Sequence, residues 1–176
     1  QPCNDKAIVF CQFVKEMDEY ESMFNLNGYK CTRLDGTMAT SERQRNVDTF
    51  KNDDAVKIFI IQINTGGQGI NLQIANHIYI MSPNWNPAIE HQAIGRSYRT
   101  GQKKHVYVTK FCITSGDSNI PFVEENIIQL QEKKKKIIAF LLNDERIADD
   151  GVIFNYDMSI GLSAKDIYTL FNIYNQ

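Results

Sequence analysis

The sequence predicts an α/β domain in which a parallel β-sheet carries helices on both faces. Short runs of Val, Ile and Phe alternate along the chain with longer stretches of helical periodicity. Residues 56–63 are almost continuously apolar, which indicates a central strand covered on both faces. This alternation of strand and helix is typical of parallel sheets, whose strands are joined by crossover helices.

The first elements are a strand, a helix and a second strand. Residues 7–10 form an apolar run short enough for a buried strand, and residues 29–34 are predicted to form the next strand. Residues 17–27 have a helical pattern that ends at Gly28. After a turn, Ser41 with Gln44 forms a capping box, which predicts a helix that opens there and precedes the central strand.

Two further strands are expected at residues 78–81 and 106–111, with a helix between them. Asn86 can cap that helix, and Pro87 fits its first turn. A long helix is expected to begin at Pro121, with Val123, Ile127, Leu130, Ile137 and Leu141 as its apolar stripe. Ser163 and Asp166 predict a last short helix.

Three polar side chains stand out on the helix that begins near Asn86. Gln92, Arg96 and Arg99 occupy positions i, i+4 and i+7, so we expect them on one helical face. Two guanidinium groups and an amide on one stripe can grip a phosphate chain through paired hydrogen bonds. The alternative is a solvated basic face, which two arginines alone would favour, but the glycine-rich loop upstream shifts the balance towards phosphate binding.

That loop follows the central strand and contains Thr65, Gly66, Gly67, Gly69 and Asn71. Glycines allow backbone N–H groups to approach a phosphate or a nucleic-acid backbone closely. A loop of this kind on its own is more often a tight turn. Its position before the arginine helix is what favours a binding role.

Composition limits the possible functions. The chain has 176 residues, 43% of them hydrophobic, which is enough for one core, and its net charge is −2. Any contact with nucleic acid must therefore come from a local patch. Neither the four cysteines nor the three histidines have the spacing of metal ligands. No apolar run is long enough to span a membrane. We therefore expect an intracellular protein with no membrane partner.

Residues 56–111 resemble motifs V and VI of superfamily 2 helicase-type motors. The pattern W-N-P…Q-A…R…R-x-G-Q, from Trp85 to Gln102, is similar to that of Swi/Snf-like ATPases. Residues 6–13 resemble the fourth motif, and residues 33–37 resemble a further motif that lies along a DNA strand. The resemblance covers about the first 145 residues and implies the second RecA-like lobe of a DNA-dependent ATPase.

The resemblance also implies roles for individual residues. Arg96 and Arg99 match arginine fingers that stabilise charge on the γ-phosphate of ATP, and Gln92 matches the amide that holds them. In the glycine loop it implies nucleotide contacts at Gly67, Gly69 and Asn71. The residues for which it implies nucleic-acid contacts are Arg33, Gly36, Thr37, Thr65, Gly66 and Trp85.

Some of these assignments have alternatives. Asp35 and Gly36 are equally explained as a simple turn. For Trp85, a core anchor is a somewhat better explanation than a nucleic-acid contact. The family commonly has Ser at the position of Gln62, which questions any hydroxyl–phosphate contact there. No G-x-x-x-x-G-K-[ST] loop occurs in the 176 residues. ATP with Mg²⁺ is thus expected to be bound mainly by an N-terminal lobe that is absent here, and this lobe alone is expected to be inactive.

The expected organisation is a RecA-like lobe at residues 1–120, a brace helix at 121–145 and a tail with a short docking helix at 146–176. The expected function is translocation on double-stranded DNA. A lobe of an RNA-directed or strand-separating helicase and a non-enzymatic DNA- or protein-binding adaptor stay open as alternatives. The cargo is open between nucleosomes, transcription complexes, repair intermediates and viral genomes, so the location is the nucleus, or a viral factory or virion.

Overall fold

A computed structural model describes residues 5–67, 69–115 and 121–142. In chain order its elements are β1 (Ala7–Cys11), α1 (Val14–Leu26), β2 (Lys30–Leu34), α2 (Thr40–Asn52), β3 (Val56–Gln62), β4 (His77–Ile80), α3 (Pro87–Ile94), β5 (Tyr107–Lys110) and α4 (Val123–Leu142). A short 3₁₀ turn, Ile63–Gly67, follows β3 directly. No helix in these described ranges is long and apolar enough to cross a membrane.

The five strands form one sheet in the order β2-β3-β1-β4-β5, and every neighbouring pair is parallel. The predicted α/β fold with a parallel sheet is therefore confirmed. Strands β1 and β3 lie at the centre, where Ile8 pairs with Phe59 and Val9 pairs with Ile60. All four of these side chains are buried. Since the strands are parallel, their carboxyl ends meet at one edge of the sheet, where ligands bind in such folds.

A buried lysine joins the sheet to the end of α2. The side chain of Lys6 is 1% exposed, just before β1. Its Nζ donates to the main-chain oxygens of Phe50 and Asp53, which lie at the C-terminus of α2, and stands 5.1 Å from the Phe50 ring centre. Burial lowers the pKa of Lys6. The ammonium thus caps carbonyl groups that a helix end leaves without intrahelical donors.

The predicted capping box at the start of α2 is wrong. The helix begins one residue earlier, at Thr40, and its N-cap is Ala39, which makes no side-chain cap. Ser41 therefore lies inside the first turn. Gln44 bonds along the helix instead, donating from Nε2 to the Asp48 carboxylate at 2.9 Å.

The contacts of the chain divide it into two compact units, Gln1–Ser82 with Gln92–Phe111 and Pro83–His91 with Cys112–Gln176. The first unit holds the sheet. The boundaries predicted at residues 120 and 145 stay a prediction. The short helix expected near Ser163 lies outside the described residues.

In the second unit, the side chains of helix α4 that the structure describes bury only part of the expected stripe. Leu130 is buried as predicted, but Val123 is 42% exposed. Two polar side chains, Asn126 and Gln131, are buried instead. The Nε2 of Gln131 donates to the Glu90 carboxylate at 2.8 Å. Hydrogen bonding thus compensates burial of polar groups that the apolar pattern did not predict.

Candidate functional site

The segment that carries the two arginines is not helical, so the predicted common helical face is wrong. Helix α3 ends at Ile94, and turns occupy residues 95–100. The N–H of Arg96 donates to Ala93 at 3.2 Å, a bond to the third residue back. Gln92 lies on the helix, whereas Arg96 and Arg99 lie beyond its end.

Tertiary hydrogen bonds explain why the helix stops. Ser97 is fully buried, and its hydroxyl donates to the main-chain oxygen of Leu72 at 3.2 Å. The N–H of Leu72 donates in return to the main-chain oxygen of Arg96 at 3.0 Å. Gly95 weakens the helix at this point, and the bonds to Leu72 hold the chain in another conformation.

Arg96 is an incompletely satisfied cation. Its Nε is buried and has no hydrogen-bond partner among the residues that the structure describes. Burial, and then the charge of Arg99, lower the pKa of Arg96. A buried donor without an acceptor and a like charge nearby both raise the energy of this group. An anion at this place would relieve both.

Two glutamines join the arginine segment to the end of the glycine loop. The sequence patterns did not single out either of them as a site residue. The Nε2 of Gln102 donates to the main-chain oxygens of Gln73 and Ala75 at 2.7 and 3.1 Å. The Nε2 of Gln73 donates in the opposite direction, to Thr100 at 2.6 Å. Gln102 could have been found from the sequence, because it is the last residue of the R-x-G-Q pattern. No sequence pattern pointed to Gln73, because its bonding partners are distant in sequence.

Asn71, expected near the nucleotide, shapes the same region. Its side-chain oxygen accepts from the N–H of Gln73 at 3.1 Å, and its Nδ2 donates to the Gln73 side chain at 3.1 Å. Asn71 is exposed and lies on a segment held firmly by Gln73.

The glycine loop begins as the 3₁₀ turn Ile63–Gly67, which contains Gly66. The hydroxyl of Thr65 donates to the main-chain oxygen of Gln62 at 2.7 Å and closes this turn. Gly69 has φ +69°, a left-handed conformation that favours glycine, and a Cβ there would meet open space. The backbone at Gly69 is thus accessible to a ligand.

The loop after β2 uses its donors internally. Asp35 is 1% exposed, and its carboxylate accepts from both the N–H and the hydroxyl of Thr37, at 2.9 and 2.5 Å. The N–H of Gly36 donates to the Gln62 side chain at 3.0 Å. The structure therefore shows a preformed loop, in which the predicted phosphate donors of Gly36 and Thr37 already have partners.

Arg33 also has an internal role. Its guanidinium contacts the carboxylates of Asp18, Glu21 and Asp35 at 2.6, 3.0 and 2.8 Å. Burial raises the pKa of Asp35, but the bonds from Thr37 and Arg33 outweigh burial and bring that pKa below its ordinary value. Three carboxylates cancel the positive charge of Arg33 locally. It supports the loop, and the predicted phosphate contact at Arg33 stays a prediction.

Trp85 belongs to the second unit and is half-buried. The ammonium of Lys134 lies 5.0 Å from the centre of its ring, within cation–π range. Nearby, the Asn86 side chain accepts from the N–H of Ala88 at 3.1 Å, so the predicted helix cap at Asn86 is confirmed. The contact with Lys134 gives Trp85 a structural partner, and the predicted nucleic-acid contact stays a prediction.

In the described ranges, no group of three or more His, Cys, Asp or Glu side chains is placed to hold a metal ion. Cys11 is buried, and burial followed by the charge of Glu16 raises the pKa of its thiol to about 12. Cys31 and Cys112 are half-buried thiols. All three are free cysteines.

Comparison with known proteins identifies the family. Residues 2–101 match the helicase conserved C-terminal domain. The chain is 36% identical over 145 residues to DNA repair protein rhp54 of Schizosaccharomyces pombe, covering 82% of this chain and 16% of that protein. It is also 36% identical over 138 residues to the human helicase-like transcription factor, covering 77% of this chain and 13% of that protein.

A solved structure agrees with these relatives. The crystal structure of the C-terminal part of the Fun30 ATPase domain has a TM-score of 0.66 and 35% sequence identity to this chain, with 72% of this chain and 39% of that chain covered. The expected RecA-like fold is thereby confirmed. The chain spans less than a fifth of the length of the two curated relatives named above. It belongs to the helicase conserved C-terminal domain family, in the Swi/Snf-like branch of superfamily 2.

Proposed function

We propose that this lobe is the second half of an ATP-dependent motor that translocates on double-stranded DNA, with Arg96 and Arg99 as its arginine fingers. The proposal rests chiefly on the environment of the Arg96 side chain. Its Nε is buried without a partner among the described residues, and its pKa is lowered by burial and by Arg99. A phosphate oxygen is an acceptor of the right charge for this group.

The chemistry assigned to the arginines is electrostatic. Negative charge develops on the transferred phosphoryl group, and a guanidinium that arrives from the opposite lobe stabilises it. Such a finger contributes a factor of about 10³ to 10⁵ to turnover in related hydrolases. Gln92, exposed on α3, would help to orient the pair.

The nucleotide would lie between this lobe and the absent N-terminal lobe, which would supply the phosphate-binding loop and hold Mg²⁺. The residues of this lobe that fit the nucleotide side are Gly67, Gly69 and Asn71. Gly69 offers accessible backbone in a left-handed conformation, and Asn71 is exposed on a braced segment. Without the other lobe, this chain would not hydrolyse ATP.

The DNA backbone would contact the loops at the carboxyl edge of the sheet. Gly36 and Thr37 form a preformed loop, and Thr65 and Gly66 form the neighbouring 3₁₀ turn. Contacts of this kind position a protein without reading sequence. Closing and reopening of the two lobes in each ATP cycle would move the DNA, a hinge-type transition.

The names of the relatives support DNA as the partner and are consistent with a nuclear location. Both rhp54 and rad8 of Schizosaccharomyces pombe are named as DNA repair proteins, and rhp16 of the same organism as an ATP-dependent helicase. We therefore place the motor in the nucleus, with nucleosomes or transcription complexes among its candidate partners.

The test is ATP turnover by the intact protein with duplex DNA, single-stranded DNA or RNA. We expect duplex DNA to stimulate best, and Arg96→Ala to lower turnover by a factor of about 10³ or more. Arg45→Ala is the matched control, because Arg45 is exposed on α2. Stimulation by RNA or single strands alone would replace the duplex assignment. Turnover that Arg96→Ala leaves unchanged would overturn the finger assignment.

A further inference from the structure

A chain of side-chain amides crosses the carboxyl edge of the sheet in the first unit. The N–H of Gly36, in the loop after β2, donates to Oε1 of Gln62 at 3.0 Å. Nε2 of Gln62, at the end of β3, donates to the main-chain oxygen of Gln12 at 3.4 Å. Nε2 of Gln12, after β1, donates to Ser82, beyond β4, at 3.5 Å. The order β2, β3, β1, β4 is the spatial order of the strands.

Gln62 is the centre of this chain because it anchors both segments that face nucleic acid in the proposed function. Its side chain accepts from Gly36, and its main-chain oxygen accepts from the hydroxyl of Thr65 at 2.7 Å. A Cβ on Gly36 would stand only 3.3 Å from Oε1 of Gln62, so the loop backbone packs directly against this amide.

The length and chemistry of glutamine are both used here. One oxygen accepts from Gly36 and one nitrogen donates to Gln12, two partners that belong to different strands. A shorter side chain such as serine could not bridge them. Glutamine therefore adds a connection between strand ends.

We propose that Gln62 is a positioning residue that sets the duplex concentration at which DNA stimulates ATP turnover. It fixes the loop at Gly36 against the 3₁₀ turn at Thr65, so that one backbone can engage both segments together. This inference rests on the proposed function. It concerns a residue outside the nucleotide and DNA contacts already assigned, and its action is through Gly36 and Thr65.

The experiment compares Gln62→Ser, Gln62→Met and Gln62→Glu in the intact protein. Serine is too short for Gly36, methionine keeps length without hydrogen bonds, and glutamate keeps the acceptor for Gly36. Gln44→Met, an exposed glutamine on α2, is the matched control. Three readouts are needed: the duplex concentration for half-maximal stimulation, the turnover without DNA, and hydrogen exchange of the peptide containing Gly36.

We expect Gln62→Ser and Gln62→Met to raise the half-maximal duplex concentration by about twofold to tenfold, the range for one lost hydrogen bond. Exchange at Gly36 should become faster, while turnover without DNA stays as in the control. Gln62→Glu should restore slow exchange at Gly36, because its carboxylate still accepts from that N–H, whereas its negative charge and the lost bond to Gln12 should leave the DNA response weakened. This rescue separates positioning from a general loss of stability.

Faster exchange at Gly36 with an unchanged DNA response in Gln62→Ser and Gln62→Met would overturn the inference, as would a weaker DNA response with exchange at Gly36 unchanged. If one variant fails to fold, the other is decisive. Arg96→Ala is measured in parallel: a stimulated parent and an inactive Arg96→Ala support the proposed function whatever Gln62 does. If duplex DNA does not stimulate ATP turnover by the unmodified protein, both the proposed function and the inference about Gln62 are overturned.

Discussion

The side-chain nitrogen of Gln102 lies 2.7 Å from the main-chain oxygen of Gln73, and this bond joins the arginine segment to the end of the glycine loop. The same nitrogen lies 3.3 Å from the main-chain oxygen of Ser97, one residue after Arg96. The position of Arg96 therefore depends on an amide several residues away. In the proposed function Arg96 is a finger that must be placed accurately, so we expect this bracing to affect ATP turnover.

The first prediction concerns that amide. Gln102→Met leaves carbonyl groups without their donor and loosens the segment of Arg96, so ATP turnover of the intact protein should fall by about tenfold to a hundredfold. The affinity for duplex DNA should change little. Gln44→Met serves as the control for loss of an exposed amide. Full turnover by Gln102→Met would show that the bracing is unnecessary for placing the arginines.

The second prediction concerns pH and Asp35. Its pKa is below the ordinary value in the folded chain, so the unfolded chain takes up the proton first as pH falls. Its stabilising contribution is present above about pH 4, and is lost as pH falls through the folded pKa. Denaturant unfolding of the 176-residue chain should show this loss below about pH 4.

Asp35→Asn should remove that part of the pH dependence and lower the free energy of unfolding at neutral pH by about 1–3 kcal/mol, because Arg33 and Thr37 lose a charged acceptor. Asp48→Asn, an exposed acid on α2, is the control. If both variants kept the full acid sensitivity, Asp35 would not be its source.

The third prediction concerns Lys6. Lys6→Met keeps the length of the side chain but leaves the oxygens of Phe50 and Asp53 without this donor. The free energy of unfolding should fall by about 1–3 kcal/mol. Lys15→Met, at an exposed position on α1, should change it little. Equal stability of the two variants would mean that burial of the charge costs as much as its two bonds contribute.

Local and distant interactions explain what the sequence could predict. The strand at Val56–Gln62 was predictable because its apolar run reports burial on both faces. The arginine helix was not, because Ser97 and Leu72 are bonded across 25 residues. The motif at residues 33–37 likewise identified a loop, but not that Asp35 accepts the donors of Thr37. Patterns predicted elements and motifs well, whereas hydrogen-bond partners distant in sequence stayed hidden.

The last prediction uses Trp85. It is the one tryptophan of the sequence, so the tryptophan fluorescence of the 176-residue chain reports on this side chain alone. Lys134 places its ammonium 5.0 Å from the ring centre, and such a contact is worth about 0.5–1 kcal/mol at partly exposed sites. Lys134→Met should therefore change the emission and lower the free energy of unfolding by that amount. Lys133→Met, at an exposed neighbouring position, should do neither.

The same fluorescence separates the two roles considered for Trp85. If the ring only anchors its own unit through Lys134, duplex DNA at low salt leaves the emission unchanged in the wild-type chain. If nucleic acid also contacts it, DNA changes the emission, and added salt reverses the change as phosphate contacts are lost. We expect the salt-sensitive change, because one face of the ring is occupied by Lys134 and the half-buried side chain still reaches solvent.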